Sequence, residues 1–200
     1  MVKAIIFDYY GVLTTDSYMT WLEHNPSVEK EHATQIEALS KAQDSGIDDN
    51  EFFSRLGQLA GQSQEEVRGE FGAHGSMHRE LLDYIGELRQ QGLKTAILSN
   101  SAVSLYDEVA KHQLGPLFDV ILCSEEAGVA KPDPKMYHLA LKRLNVSPDE
   151  ALFVDDRQYN VNGAEAVGID AVIYTGLTGL KSELKRRGIH SVSTLRSQAS

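Results

Sequence analysis

The sequence near the start of the chain reads AIIFDYYGVLT over residues 4–14. The apolar run at residues 4–7 has the composition of a short buried strand, and Asp8 follows directly at its end. Gly11 then provides a turn before the chain continues. A carboxylate between a buried strand and a glycine turn lies at the rim of a sheet, where it can serve as a nucleophile or as a metal ligand.

Four further apolar runs follow, and helical patterns alternate with them. The runs lie at residues 95–98, 120–123, 151–154 and 171–174, and the helical patterns lie around residues 102–112, 134–144 and 160–167. This alternation of strand and helix is typical of a parallel sheet with helices on both faces. Parallel strands that are buried on both faces carry continuous apolar runs, as these do. The chain is therefore predicted to be an α/β protein with a doubly wound parallel sheet, in which residues 3–7 form the first strand.

Residues 16–78 interrupt this pattern. They contain no strand-like run, and the spacing of their apolar residues is typical of amphipathic helices. Residues 46–50 have the pattern of a helix end followed by an N-cap, and residues 63–66 have the pattern of another helix start. The predicted organisation is a core domain of residues 1–15 and 79–200 with a helical domain of residues 16–78 inserted directly after Asp8.

The composition is that of a soluble globular protein, with 42% hydrophobic and 24% charged residues. The formal net charge of −10 argues against nucleic acid or an anionic membrane surface as a partner. No apolar run is long enough for a signal peptide or a membrane span. The single cysteine, Cys123, excludes a disulfide within the chain and is expected to be a buried strand residue rather than a catalytic thiol. We therefore expect a cytoplasmic protein, with a polar tail at residues 191–200 that frays.

Polar and charged residues follow the later strands as Asp8 follows the first. Ser99 and Asn100 come after the second strand, Lys131 lies in the loop beyond the third, and Asp155, Asp156 and Asn160 follow the fourth. In an open parallel sheet, ligands bind beyond the carboxyl ends of the strands. These side chains are therefore expected to converge on one crevice.

The aspartates of this set are candidate metal ligands. Asp8 can attack an electrophile and can also bind a divalent cation. Asp156, alone or with Asp155, can complete the oxygen-rich coordination that Mg²⁺ prefers. Each is also explained by ordinary structure, because an aspartate after a strand often caps a helix and an Asp-Asp pair can form an acidic turn. Their shared position at strand ends favours the functional interpretation.

Ser99, Asn100 and Lys131 are candidate ligands of an anionic group. The Ser99 hydroxyl and the Asn100 backbone can donate hydrogen bonds to phosphoryl oxygens, and Lys131 can offset the negative charge gathered there. Taken alone, Ser99 and Asn100 could equally form a helix N-cap, and Lys131 could be a solvated lysine. The order of all these residues along the chain makes that alternative the weaker one.

Together these motifs are similar to those of the haloacid dehalogenase-like (HAD) hydrolase superfamily, and the match spans nearly the whole chain. They are residues 8–14, Ser99-Asn100, residues 131–134 and residues 154–160. The resemblance implies a Rossmann-like, doubly wound core with a small helical cap. It also implies attack by Asp8, a covalent aspartyl intermediate that water hydrolyses, Mg²⁺ as the cofactor and a small phosphorylated metabolite as the substrate.

Tyr10 departs from the pattern of the phosphatases that the chain resembles. Those enzymes carry a second aspartate two residues after the nucleophile, which protonates the leaving oxygen and then activates water. A tyrosine, with an ordinary pKa of about 10, is a poor base near neutral pH. General acid–base catalysis is typically worth roughly 10²–10⁴-fold, so low activity toward poor leaving groups is expected. Tyr10 is predicted to offer its backbone carbonyl to Mg²⁺ and its hydroxyl as a weak acid.

Two other functions remain as alternatives. The Asp-x-Tyr-Gly pattern resembles the metal-independent 2-haloacid dehalogenases of the superfamily, whose halide leaves without a proton. Those enzymes lack the acidic pair and use an arginine early in the cap, whereas here Asp155 and Asp156 are intact and the first arginine is Arg55. A catalytically weak domain that binds a phosphorylated ligand or a protein partner is the other alternative, which Tyr10 and Asn160 support. The phosphatase is favoured, and the sequence leaves the substrate's identity and the oligomeric state open.

Overall fold

The protein folds around a five-stranded parallel sheet. The structure, a computed structural model, describes residues 1–44 and 46–190, so the predicted fraying of residues 191–200 lies outside the described residues. The strands are β1 (Ala4–Phe7), β2 (Lys94–Ser99), β3 (Val120–Cys123), β4 (Ala151–Asp155) and β5 (Asp170–Ile173). Their order is β3-β2-β1-β4-β5, and all neighbouring strands are parallel.

Helices connect these strands and cover both faces of the sheet. They are α1 (Ser17–His24), α2 (Pro26–Glu31), α3 (Ala33–Asp44), α4 (Asp49–Ala60), α5 (Gln64–His74), α6 (Arg79–Arg89), α7 (Leu105–Lys111), α8 (Ser124–Ala127), α9 (Pro134–Leu144), α10 (Gln158–Ala166) and α11 (Leu177–Arg186). Helix α7 is shorter than the predicted helix of residues 102–112, because the Val103 N–H donates to the Glu125 carboxylate at 2.7 Å and belongs to the preceding turn. Within residues 1–44 and 46–190, no helix is both long and apolar enough to cross a membrane.

Alternate side chains of β1 enter two apolar cores, one on each face of the sheet. Ile5 and Phe7 pack in the first core with residues of α6, α7 and α11. Ala4 and Ile6 pack in the second core with residues of α9 and α10. All four side chains are fully buried, as expected for a parallel strand that helices cover on both faces. The predicted doubly wound α/β fold is therefore confirmed.

Helices α1–α5 build an apolar core of their own, which includes Trp21, Phe52 and Leu56. Both helix starts that the sequence predicts in this region are confirmed. The Asp48 side chain accepts hydrogen bonds from the first backbone N–H groups of α4. Ser63 forms a reciprocal capping box with Glu66 at the start of α5.

The pairing of the central strands sets where the polar residues emerge. Phe7 of β1 lies beside Ile97 of β2 on one side and beside Val154 of β4 on the other. The residues that follow these positions therefore reach the same edge of the sheet. Asp8 lies in the middle of that edge, because β1 is the central strand.

Candidate active site

Asp8 is buried at the carboxyl end of β1, where only 6% of the residue is exposed. Its N–H donates to the Val154 carbonyl at 2.9 Å and so continues the pairing of β1 with β4. Its carboxylate oxygen Oδ1 accepts a hydrogen bond from the Tyr9 N–H at 2.7 Å and lies 2.8 Å from Lys131 Nζ. A backbone donor and a cation therefore hold one oxygen of this carboxylate in place.

Lys131 joins Asp8 to Asp155 and is itself only 3% exposed. Its Nζ lies 2.8 Å from Asp8 Oδ1 and 2.8 Å from Asp155 Oδ2. The Asn100 side chain holds the Lys131 backbone in both directions: Nδ2 donates to the Lys131 carbonyl at 2.9 Å, and the Lys131 N–H donates to Oδ1 at 2.8 Å. The loop that carries Lys131 is thereby fastened to the end of β2.

Asp155 is fully buried and has protein partners for both carboxylate oxygens. Oδ1 accepts from the Arg157 N–H at 2.8 Å, and Asn160 Nδ2 lies 3.1 Å from each of the two oxygens. Lys131 reaches Oδ2 from the other side. Asn160, which the sequence places one helical turn after the acidic pair, therefore acts as a neutral donor toward Asp155.

The buried charges alter one another's protonation. Burial raises the pKa of Asp8 well above its usual value, and the Lys131 ammonium opposes this rise. Burial also disfavours the ionised form of Asp155, but Lys131 and the hydrogen bonds from Arg157 and Asn160 outweigh it and lower the pKa of that carboxyl. Burial disfavours the charged form of Lys131, yet the two carboxylates outweigh this and raise its pKa. Lys131 is therefore a cation at neutral pH and compensates the acids beside it.

Asp156 completes a cluster of three carboxylates. One oxygen each of Asp8, Asp155 and Asp156 lies within 4.8 Å of the other two. Asp156 Oδ1 is buried and makes no hydrogen bond within the described part of the chain. Gly11, at φ +81°, packs so closely that a Cβ there would overlap the Asp156 carboxylate. Converging anionic oxygens with an unsatisfied buried member fit a hard divalent cation.

Ser99 and Tyr10 are the remaining predicted site residues. Ser99 ends β2, is fully buried, and its Oγ makes no hydrogen bond to any described residue. The Tyr10 ring meets the Tyr9 ring edge-on, with centres 4.9 Å apart. Burial raises the pKa of the Tyr10 hydroxyl above its usual value, so this group stays protonated at neutral pH. The Tyr10 hydroxyl can therefore donate a hydrogen bond but cannot act as a general base.

The site opens into a cleft of about 670 Å³. Asp8, Asn100 and Lys131 line it at the edge of the sheet, and Phe53 and Phe71 line it from α4 and α5. Helices α1, α3, α4 and α5, which the sequence inserts after β1, thus contribute residues to the same cleft as Asp8. The position of the insertion, directly after the candidate nucleophile, is the signal that anticipates this arrangement.

Sequence reasoning assigned no role to Arg157, which also lines the cleft. Its Nη2 lies 3.1 Å from Asp16 Oδ2, and its Nη1 lies 3.4 Å from Asp44 Oδ1. Asp16 caps the start of α1 and Asp44 ends α3, so Arg157 ties the loop after β4 to the inserted helices. An arginine directly after the Asp155-Asp156 pair is the available sequence signal, but its two partners are far from it in the sequence.

The arginines of α4 and α5 differ in position. Arg55, the first arginine of the chain, pairs with Glu51 on the exposed side of α4 and is not among the residues that line the cleft. Arg68 of α5 does line the cleft, and its guanidinium carbon lies 4.2 Å from the centre of the Phe53 ring. Sequence reasoning missed Arg68, because its side of the helix is determined only when α4 and α5 pack together.

Comparison with known proteins places this architecture in a family. Residues 2–168 match the haloacid dehalogenase-like hydrolase family. A Mycobacterium tuberculosis protein named as a phosphatase is 30% identical over 194 residues, which cover 86% of this chain and 87% of that relative.

Two solved structures share the fold. A HAD family enzyme from Bacteroides thetaiotaomicron, in complex with magnesium and inorganic phosphate, aligns with a TM-score of 0.67 at 21% identity and covers 86% of this chain and 94% of its own. The L-2-haloacid dehalogenase from Xanthobacter autotrophicus, with chloropropionic acid covalently bound, aligns with a TM-score of 0.66 at 23% identity and covers 99% of this chain and 88% of its own. With its family match and its buried aspartate at the central strand, the chain belongs to the haloacid dehalogenase-like hydrolases.

Proposed function

We propose that this protein is a Mg²⁺-dependent phosphatase that hydrolyses a small phosphorylated metabolite through an aspartyl-phosphate at Asp8. The observation that carries the proposal is the cluster of the Asp8, Asp155 and Asp156 carboxylates beside Lys131, of which Asp8 and Lys131 line the cleft. The phosphatase name of the M. tuberculosis relative supports it, as do the magnesium and phosphate bound to the B. thetaiotaomicron enzyme.

The proposed cation ligands are Asp8, Asp156 and the backbone carbonyl of Tyr10, with Asp155 as a further ligand or as an acceptor that orients the others. The unsatisfied Asp156 oxygen supports this assignment. When bound, Mg²⁺ would neutralise the charge of the phosphoryl oxygens so that they can approach a carboxylate. The absence of a Cβ at Gly11 leaves the room that the Asp156 carboxylate itself occupies.

The proposed reaction divides the remaining roles among four residues. Lys131, the Ser99 hydroxyl and the Asn100 backbone N–H hold the phosphoryl group. An Asp8 oxygen attacks phosphorus, and the bond from phosphorus to the ester oxygen breaks with its electron pair on that oxygen. Water then attacks phosphorus, which frees the Asp8 carboxylate and releases inorganic phosphate, while the proton from water ends on the departed alkoxide. The buried hydroxyl of Ser99, which lacks a partner among the described residues, supports its role as a donor.

Tyr10 limits the range of esters that this site can cleave. Because its hydroxyl stays protonated, it cannot take a proton from water, and it is a much weaker acid than a carboxyl group. We therefore propose low turnover of esters whose leaving oxygen needs a proton.

The inserted helices have the properties of a cap. Residues 16–78 have their own apolar core and contribute Phe53 and Phe71 to the cleft, which supports a cap over a core of residues 1–15 and 79–200.

The free, buried Cys123 is compatible with the proposed cytoplasmic location.

Phosphate release from 4-nitrophenyl phosphate, with and without Mg²⁺, tests the proposal in wild type, Asp8→Asn and Tyr10→Asp. We expect Mg²⁺-dependent turnover that Asp8→Asn abolishes and Tyr10→Asp increases. Asp107→Asn removes a different carboxylate from the cleft and serves as the matched control, which should keep its activity. Turnover that survives in Asp8→Asn would refute the proposed nucleophile.

A 2-haloacid dehalogenase is the second candidate, because Tyr10 stands two residues after Asp8 and a halide leaves without a proton. Metal-independent release of chloride from L-2-chloropropionate, together with no phosphate release, would replace the phosphatase with this activity. Mg²⁺ binding without turnover of either substrate would instead favour a domain that binds a ligand or a partner.

A further inference from the structure

The cleft extends from the proposed phosphoryl site onto aromatic side chains. Tyr18, Phe53 and Phe71 line it from the inserted helices, and Tyr10 and Met77 line it from the segments next to the sheet. Tyr18 is buried, whereas the other four are only partly buried, so part of their apolar surface faces the cleft. Because Asp8 and Lys131 line the same cleft, a ligand held at its phosphoryl group there can place the rest of its structure against these rings.

Phe53 and Phe71 form the best-defined part of this aromatic surface. Their ring centres are 5.0 Å apart and their planes meet at 79°, so the edge of one ring points at the face of the other. Aromatic rings favour this edge-to-face arrangement, and a third ring can extend it. The two rings are supported from behind, because Phe71 also lies 6.1 Å from the Trp21 ring and Phe52 lies 5.2 Å from Phe53.

The charges around the rings are mixed in sign, so they do not select one additional charge on the ester group. Arg68 covers the Phe53 ring at 4.2 Å, so a cationic group would meet a guanidinium there. An additional anionic group would meet the carboxylates of Asp49 and Asp107, which line the same cleft. Lys111, which could compensate such an anion, pairs with Glu108 at 3.1 Å.

We propose that the substrate is a phosphate monoester whose ester group carries an uncharged aromatic ring, bound against Phe53 and Phe71. This inference rests on the proposed phosphatase function and specifies its substrate class. The phosphoryl group lies at Asp8 and Lys131, and the ring occupies the part of the cleft that α4 and α5 line.

Gly72 provides a direct test, because it lines the cleft beside Phe71. A Cβ at Gly72 would meet no atom of the described residues within 4 Å, so a larger side chain there enters open space. Gly69 lies on the same helix, is exposed, has equally open surroundings and is not among the lining residues. Leucine has a higher helix propensity than glycine, so neither replacement is expected to unfold the protein.

The experiment compares kcat/KM for 1-naphthyl phosphate with kcat/KM for acetyl phosphate, which carries no ring. We expect Gly72→Leu to lower this ratio by roughly tenfold or more, as expected when a hydrophobic pocket loses its fit. Gly69→Leu should leave both values unchanged. Phe53→Ala is a second, independent variant and should lower the ratio through a higher KM for the naphthyl ester.

The outcomes separate this inference from the proposed function on which it rests. A ratio that neither Gly72→Leu nor Phe53→Ala lowers would overturn the ring-binding role. Better turnover of choline phosphate or glycerol phosphate than of the naphthyl ester would also overturn it, and in both cases the phosphatase would stand. If no ester gives Mg²⁺-dependent phosphate release that requires Asp8, both the proposed function and the inference are wrong.

Discussion

Lys131 places a buried ammonium between two buried aspartates, 2.8 Å from each. The desolvation of such ions costs several kcal/mol each, and their mutual attraction repays it only while all partners are present. Two hydrogen bonds with the Asn100 side chain fix the Lys131 backbone and so help to position the ammonium between the two carboxylates. Folding and the proposed catalysis therefore depend on the same side chain.

Replacement of Lys131 by methionine should leave Asp8 and Asp155 buried without a cation. We expect the free energy of unfolding at pH 7 to fall by about 3–5 kcal/mol, as measured by urea denaturation, and phosphate release to be lost. Lys135→Met, at an exposed position of the neighbouring helix α9, is the control and should change stability by less than about 0.5 kcal/mol. Equal stability of the two variants would show that Lys131 does not compensate the buried acids.

Gly11 has a positive φ and also packs against the Asp156 carboxylate, and comparison with Gly128, which has only the positive φ, separates these two effects. Gly11→Ala introduces a Cβ at φ +81° and also overlaps the Asp156 carboxylate. Gly128→Ala introduces the same kind of strain at φ +65°, but its Cβ meets no described atom within 4 Å. We expect Gly128→Ala to cost about 1–2 kcal/mol and Gly11→Ala to cost more.

Urea denaturation with and without Mg²⁺ measures both effects of these alanine variants. Mg²⁺ should stabilise the wild type and Gly128→Ala, because a ligand that binds only the folded state adds to its stability. It should stabilise Gly11→Ala much less. The same Mg²⁺ effect in both variants would contradict the assignment of Asp156 to the cation.

Among the elements, the junction of α6, β2 and β3 depends on Asp119. Its Oδ2 accepts the Thr95 N–H of β2 at 2.8 Å, and Arg89 of α6 lies 2.5 Å from the same oxygen. The hydrogen bond from Arg89 holds the pKa of Asp119 below its usual value. The ionised carboxylate therefore contributes stability above the unfolded-state pKa, and this contribution disappears as the pH falls through the lower folded-state pKa.

Asp119→Asn should reduce the free energy of unfolding at pH 7, because the ion pair with Arg89 is lost. The difference from wild type should narrow as the pH falls below about 4, where the carboxyl of the unfolded chain begins to take up a proton while that of the folded chain is still ionised. Urea denaturation from pH 7 down to the acid limit of the fold measures this. The control is Asp83→Asn on the exposed face of α6, whose free energy of unfolding should follow that of wild type at every pH. If the free energy difference between Asp119→Asn and wild type stayed the same at every pH, the ionic mechanism would be contradicted.

The elements also show how far sequence reasoning reaches. The strands could be predicted because buried parallel strands must be continuously apolar, and Asp8 could be predicted because β1 ends where its apolar run ends. The partners of Arg157 could not be predicted, because Asp16 and Asp44 belong to helices whose orientation on the sheet is a property of packing. The hydrogen bonding of the Asn100 side chain to the Lys131 backbone could not be predicted either, because it forms only when the loops after β2 and β3 meet in the fold.

At the scale of the whole molecule, Arg157 connects the sheet to the inserted helices through two ion pairs. Its neighbour Asp156 belongs to the carboxylate cluster, so the same short loop serves the site and the contact with the helices. Both Asp16 and Asp44 line the cleft. The position of the helices over the site should therefore depend on Arg157.

Arg157→Met should loosen α1 and α3 from the sheet edge and raise KM for a phosphate ester. Hydrogen exchange should become faster in the ends of α1 and α3 that carry Asp16 and Asp44, and it should stay unchanged in β2. The control is Arg143→Met, which removes an ion pair with Glu126 between α9 and α8, away from the cleft. Unchanged exchange in α1 and α3 would show that other contacts hold the helices in place.

The central position of β1 also has a consequence for the order in which the protein can be assembled. Ala4 pairs with Lys94 on one side and with Ala151 on the other, so β1 leaves the ribosome long before either neighbour exists. The helices between Ser17 and His74 are contiguous in the chain and have their own apolar core, so they can assemble during that interval. A nascent chain that stalls before β4 can therefore carry a packed group of helices while the carboxylate cluster of Asp8, Asp155 and Asp156 has yet to be assembled.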